Sequence, residues 1–240
     1  MKEQFLRSAA IYGENGIKIL NNAHVAVFGV GGVGGYVVEA LARIGVGKID
    51  LIDNDTVCES NLNRQIIALY SNIGQYKVDV AAKRVRDINP DCIVTAHRCF
   101  YLPENSNKFD FSQYDYIVDA VDTVAAKTEI ICRAATCETP VISAMGAGNK
   151  TDPCGFRVAD IYSTKGCPLA RVMRSVLKKR EIKKLKTVYS PELPVFQKDN
   201  PATKNITGSL PHVVAVAGFI IASEVINDIL KKGIENAKTT

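Results

Sequence analysis

Gly29, Gly31 and Gly34, in G-x-G-x-x-G spacing with Gly32 between them, are followed nineteen residues after Gly34 by Asp53. Glycines so spaced allow a tight turn and let backbone N–H groups approach phosphate, while a helix N-terminus adds partial positive charge. A carboxylate at Asp53 can accept hydrogen bonds from ribose hydroxyls. The next segment, DNDTVCESNLNRQ, supplies Asp55, Asn61, Arg64 and Gln65. Farther on, GQYKV brings Lys77, and YIVDAVDT ends on Asp119 and Asp122. Cations at Arg64 and Lys77 with a carboxylate at Asp122 suit a triphosphate with Mg²⁺, a metal that takes oxygen ligands. There is no Walker-type G-x-x-x-x-G-K-[ST], and GNKT at Gly148–Thr151 only looks like its end.

The elements that must hold these groups follow from periodicity. Val25–Phe28 is an apolar run of buried-strand length, and Val33, Val37, Ala40, Leu41 and Ile44 then fall on one helical face closed by Gly45. Ile49–Ile52 is a second strand ending on Asp53. An amphipathic helix over Gln75–Ile88 is stopped by Asn89-Pro90. Cys92–Ala96 and Tyr116–Ala120 read as strands, separated by a polar, loop-like Cys99–Tyr114; Thr123–Cys137 reads as a helix and Pro140–Met145 as a buried strand. Asp119 and Asp122 then stand at a strand's carboxyl end, where a doubly wound sheet binds ligands. The expected fold is α/β and Rossmann-like, with a mainly parallel sheet flanked by helices. A C-terminal extension of strands and helices completes it.

With 240 residues, one elaborated unit is expected: a nucleotide-binding core over 24–150 and a substrate-facing extension over 151–240. Hydrophobic residues at 47% and charged ones at 23% describe an ordinary globular chain. Seven scattered cysteines do not make a disulfide framework and point to a reducing cytosol. MKEQFLRSAAIYG has no apolar signal core, and residues 1–23 read as one or two short helices turning around Gly13–Gly16. Tyr189–Thr207 is proline-rich and reads as loop. Val213–Ser223 is apolar over only eleven residues. A membrane span needs ~20, so a buried C-terminal helix is expected, against which membrane attachment stands as the alternative.

The net charge of +5 is unevenly spread. After a strand over Phe156–Tyr162, the run CPLARVMRSVLKKREIKKLKTVYS carries Arg171, Arg174, Lys178, Lys179, Arg180, Lys183, Lys184 and Lys186, opposed only by Glu181. Leu169, Val172, Val176 and Leu177 can pack one helical face while the cations line the other. Such a run can be a solvated face, or a groove for an RNA backbone. Cys167, at this helix's start, can have a lowered thiol pKa there, but an incidental residue explains it as well.

GVGGVGG, LIDNDTV, SNLNRQ, GQYKV and DAVDT, in this order, resemble the adenylating domain of the ubiquitin-activating-enzyme-like (ThiF/MoeB) superfamily over residues 1–150. The resemblance implies that Asp53 binds ribose, that Arg64 and Lys77 hold phosphates, and that Asp122 is the Mg²⁺ ligand. It further implies that Arg7 reaches the triphosphate of a neighbouring subunit, hence a homodimer. Relatives that activate sulfur-carrier proteins often hold zinc through two C-x-x-C pairs. This chain has none, so no structural zinc is expected. SAMGAGNKTDP, VADIY, CPLAR, GSLPHV and the apolar C-terminal helix resemble the subgroup of tRNA threonylcarbamoyladenosine dehydratases over nearly the whole chain. That implies ATP-dependent cyclisation of the threonylcarbamoyl side chain of adenosine 37 through an acyl-adenylate, with tRNA as partner and a sulfur-relay protein as a further candidate. An adenylyltransferase for a ubiquitin-like sulfur carrier and an NAD-binding redox protein are the alternatives.

Overall fold

Short β-branched runs alternate with amphipathic helices, and each run finds its place in one sheet. The computed structural model describes residues 1–196 and 206–239, with side chains through 236. The helices are α1 (Leu6–Asn22), α2 (Gly34–Ile44), α3 (Lys77–Ile88), α4 (Val124–Thr136), α5 (Pro168–Lys179) and α6 (Pro211–Thr239). The strands are β1 (His24–Phe28), β2 (Lys48–Asp53), β3 (Ile93–Arg98), β4 (Tyr116–Asp119), β5 (Val141–Ala144), β6 (Arg157–Asp160) and β7 (Lys186–Tyr189). Their order in the sheet is β3-β2-β1-β4-β5-β7-β6. All pairings are parallel except β6 with β7. This is the Rossmann-like fold the pattern implies. Its winding reverses between β1 and β4, so a crevice opens at their carboxyl ends.

One face of the sheet is covered by α2, α3 and α6 around Val25, Val27, Val37, Leu41, Val85 and Ile221. The other holds α4 over Ala26, Phe28 and Ile117, and α5 packs beyond it through Ala170, Met173 and Leu177. Helix α1 is broken at Gly13, where φ is 72°.

Three expectations are corrected. Residues 99–114 are not simply polar loop: Tyr101, Phe109, Phe111 and Tyr114 are buried against Phe28, so the segment's aromatics make a second core. The basic run is not one helix, since α5 stops at Lys179, Glu181 takes a left-handed φ of 60°, and Lys186 opens a strand. The buried face of α5 runs through Ala170, Met173 and Leu177, leaving Val172 exposed. Unbranched Met173 fills that contact. The expected C-terminal helix is α6, which runs on past the apolar Val213–Ser223 because Val225, Ile226, Ile229 and Leu230 continue its buried stripe. By length and composition alone, Pro211–Asn236 could cross a membrane. In the fold it lies along α2, with Phe219 edge-on to Tyr36 at 5.6 Å. Residues 197–205 of the expected Tyr189–Thr207 loop fall outside the described residues.

Candidate nucleotide site

Strand β1 must turn into α2 within five residues, and Gly29 makes this possible with φ of 88°. Gly34 lies so close beneath the turn that a Cβ there would sit 1.8 Å from the Gly29 carbonyl oxygen. Gly31 faces open space, where a Cβ would meet nothing nearer than Gln65 Nε2 at 3.8 Å. The turn thus presents backbone to a cleft of about 710 Å³. Gly29, Gly31, Gly32, Asp53, Asp55, Asn61, Arg64, Gln65, Lys77 and Asp122 all line it. Gly34 does not: it packs the turn from behind.

Asp53, at the end of β2, steadies the same turn. Its Oδ2 accepts from the Val30 N–H at 2.7 Å and its Oδ1 from the Asp55 N–H at 2.9 Å. Carboxylate oxygens retain further lone pairs for a hydroxyl donor. Lys77 opens α3; its side chain is 7% exposed, and Nζ lies 2.7 Å from Asp55 Oδ2. Arg64 Nη1 donates to the Ser60 carbonyl at 2.7 Å and to Asn63 Oδ1 at 2.8 Å, and its Nε and Nη2 have no partner among the described residues. Asn61 Oδ1 accepts from the Cys58 N–H, and buried Gln65 keeps an Oε1 without a donor. Asp122 is exposed and makes no hydrogen bond or ion pair to a described residue. Two cations, a carboxylate without a partner among the described residues and a glycine turn therefore line one cleft.

The remaining lining comes from residues that pattern alone did not single out. Ile52, Cys99, Phe100 and Tyr101 form an apolar end, and burial pushes the Tyr101 phenol pKa up. Met145–Gly148, Leu169, Thr207 and Val214 close the other side, so the C-terminal part of the chain contributes to the cleft. The aromatics crowded into 99–114 were the available sign of the first group. Nothing local marks the second. Lys150, the lysine of GNKT, is 3% exposed and donates to the Glu192 carbonyl, away from phosphate duty. Cys167 is buried at the start of α5.

Arg7 is exposed on α1 and is not among the residues lining this chain's cleft. The basic residues also divide. α5 begins beside the cleft at Leu169 and runs away from it for about 18 Å at 1.5 Å per residue. Arg171, Lys178 and Lys179 are exposed on that helix, and Arg180, Lys183 and Lys184 are exposed beyond its end. Arg174 instead donates to the Thr164 carbonyl and hydroxyl. Lys186 leaves the basic face altogether, with Nζ 2.9 Å from Glu224 Oε2 and 2.7 Å from Asp228 Oδ2. Burial disfavours its charge, but these two carboxylates outweigh that and raise its pKa.

Residues 5–240 match the ThiF family. The chain is 41% identical to the tRNA threonylcarbamoyladenosine dehydratase of Bacillus subtilis (strain 168), over 96% of each protein. It is 36% identical to the enzyme of that name from Haemophilus influenzae, over 96% of this chain and 95% of the relative. Among solved structures, E. coli tRNA N6-threonylcarbamoyladenosine dehydratase, TcdA, in complex with AMP superposes with a TM-score of 0.90 at 35% identity, covering 97% of this chain and 96% of that one. Its complex with ATP gives 0.89 at 36% identity, with the same coverage.

Proposed function

The chain belongs to the ThiF family, and on that premise we infer that it is an ATP-dependent tRNA threonylcarbamoyladenosine dehydratase. The observation that carries this reading is convergence: the glycine turn, Arg64, Lys77 and Asp122, from four separate stretches, meet in one cleft of a chain alike to such enzymes over nearly its whole length. The substrate is the threonylcarbamoyl group on adenosine 37 of tRNA. Its carboxylate oxygen attacks the α-phosphorus of ATP, the bond to the β-phosphate oxygen breaks, and pyrophosphate leaves. The acyl-adenylate is then attacked from within the same side chain, which closes a ring and expels AMP. Intramolecular attack needs orientation rather than an enzyme nucleophile.

The protein's part is to bind and to neutralise charge. The N–H groups of the glycine turn face phosphate, Asp53 accepts from ribose, and Arg64 and Lys77 lie against the triphosphate. Asn61 and Gln65 complete the polar wall, Gln65 with an acceptor still to fill. Asp55, bonded to Lys77, orients that ammonium. The donor set fits Mg²⁺, since Asp122 is an uncommitted carboxylate that can share a metal with phosphate oxygens. When bound, Mg²⁺ would offset phosphate charge. Arg7 reaches the neighbouring subunit's triphosphate in a homodimer.

Core and extension act as one unit, because Leu169, Thr207 and Val214 of the extension line the cleft of the core. The exposed cations of α5 and of Lys183–Lys184 track the tRNA backbone from the reacting nucleotide outward. This enzyme works in the cytoplasm, with a sulfur-relay protein as a candidate helper. ATP–pyrophosphate exchange with tRNA carrying threonylcarbamoyladenosine tests the reading. Exchange should require that tRNA and disappear in Asp122→Ala; equal exchange without tRNA would defeat it.

A further inference from the structure

Lys127 stands in the first turn of α4, and no part of its side chain reaches solvent. Two costs attach to that position. A buried ammonium loses its hydration, and a cation in the first turn sits at the positive end of the helix dipole. What offsets them is specific. Nζ lies 3.0 Å from Asp119 Oδ2 and donates at 3.0 Å to the carbonyl of Val121. Asp119, equally buried, accepts from Ser143 Oγ at 2.5 Å and from the Val121 N–H at 3.3 Å.

Groups from the ends of β4 and β5 and from α4 thus close around residues 119–121, and the next residue is Asp122. The same turn meets the glycine turn from the other side. The Ala120 N–H donates to the Phe28 carbonyl at 2.8 Å, and a Cβ on Gly29 would lie 2.6 Å from the Ala120 oxygen. The Val121 carbonyl takes a second of the ammonium's three N–H donors, so the lysine grips the turn as well as the carboxylate.

We propose that Lys127 is a positioning residue for the adenylation step: by holding the Val121 carbonyl it fixes the turn that presents Asp122 to the cleft. The proposal rests on the role given to Asp122 above. Lys127 itself does not line the cleft and touches no ligand there.

Lys127→Met keeps the stem but strands a buried carboxylate, so it is paired with a second variant, Lys127→Met with Asp119→Asn, which removes the stranded charge. Both are made in full-length protein, with and without Asp122→Asn. AMP release in the presence of modified tRNA and the calorimetric affinity for ATP with and without Mg²⁺ are measured beside the melting temperature. In the neutral-pair variant, kcat should fall about tenfold or more, since a displacement near 1 Å at a reacting centre can cost ~10²-fold. The gain in ATP affinity on adding Mg²⁺ should shrink in parallel. In the Asp122→Asn background the same change should cost less than about twofold, because residues that act as one are not additive. A neutral-pair variant with full activity, or one whose losses simply multiply with those of Asp122→Asn, overturns the proposal. If Asp122→Asn alone changes neither activity nor the Mg²⁺ effect, the reading of the site fails first and takes this inference with it.

Discussion

Gly34→Ala and Gly31→Ala should separate what the glycine turn does for the fold from what it does for the ligand. A Cβ at Gly34 would stand 1.8 Å from the Gly29 oxygen and 3.0 Å from its carbonyl carbon. An ordinary carbon–oxygen contact is over an ångström longer, so the β1–α2 turn has to move by about that much. It cannot retreat, because Gly29 already rests against the Ala120 backbone. Overpacking of this kind costs about 1–3 kcal/mol. At 2–4 °C per kcal/mol for a chain of this size, the melting temperature should fall by roughly 2–12 °C. ATP affinity should fall with it, as the turn that faces phosphate has shifted. At Gly31 the nearest atom is a cleft-lining amide at 3.8 Å, so the methyl meets no wall and points where phosphate would lie. Melting should stay as in the parent, while ATP binding weakens by about tenfold or more, the equivalent of at least ~1.4 kcal/mol. Scanning calorimetry and ATP titration read the two effects. Equal melting temperatures for Gly34→Ala and the parent, or unchanged ATP affinity in Gly31→Ala, would refute the reasoning.

Lys77→Met should lower AMP release by about 10²-fold or more, the loss expected when a preorganised cation is removed from a transition state, with a clear effect in single-turnover rates. Its fold should survive, because the partner left behind, Asp55, is 58% exposed and can hydrate. Asp50 gives a pH prediction. Burial raises its carboxyl pKa, but hydrogen bonds and charge from His24 and His97 outweigh this and hold it below the ordinary carboxylate range. A depressed folded-state pKa adds stability that is whole above the unfolded value of ~3.9 and is lost as pH falls below it. Melting temperature against pH should therefore drop more steeply below about pH 4 in the parent than in Asp50→Asn, which should also melt lower at pH 7. Replacing Lys178, Lys179 and Arg180 by alanine should flatten the dependence of log tRNA affinity on log salt by about one unit for each phosphate no longer neutralised. Lys186→Ala should leave that slope alone and cost stability, since it strands Glu224 and Asp228.

The nucleotide-binding half was open to reading from sequence because its signals are local. A strand, a spaced set of glycines and a terminal acid lie within thirty residues; Lys77 follows at a helix start, Asp122 just past a strand end, and Arg64 in the polar turn between β2 and α3. The remainder depends on contacts that spacing does not encode. Lys186 looks like one more cation until β7 places it beside two carboxylates of α6. Phe109 and Phe111 sit in a stretch rich in Asn, Ser and Asp, and only the fold shows them beneath Phe28. α6 seems to end at Glu224 if apolar residues must be continuous, whereas its stripe of Val225, Ile226 and Ile229 keeps helical period. Lys127, an ordinary lysine in a helical sequence, carries no local mark of burial. Leu169 and Thr207 reach the cleft from the far half of the chain, which no motif spacing announces.

On the proposed reading, the cleft uses ATP to remove water from a modified tRNA nucleoside. The most direct test incubates the protein with ATP, Mg²⁺ and tRNA carrying threonylcarbamoyladenosine, digests the tRNA, and weighs the nucleoside by mass spectrometry. The expected product is a nucleoside lighter by one water, formed with one AMP per conversion and only when ATP is present. An unchanged nucleoside, with AMP or pyrophosphate exchange appearing instead when a carrier protein ending in glycine is supplied, would contradict it.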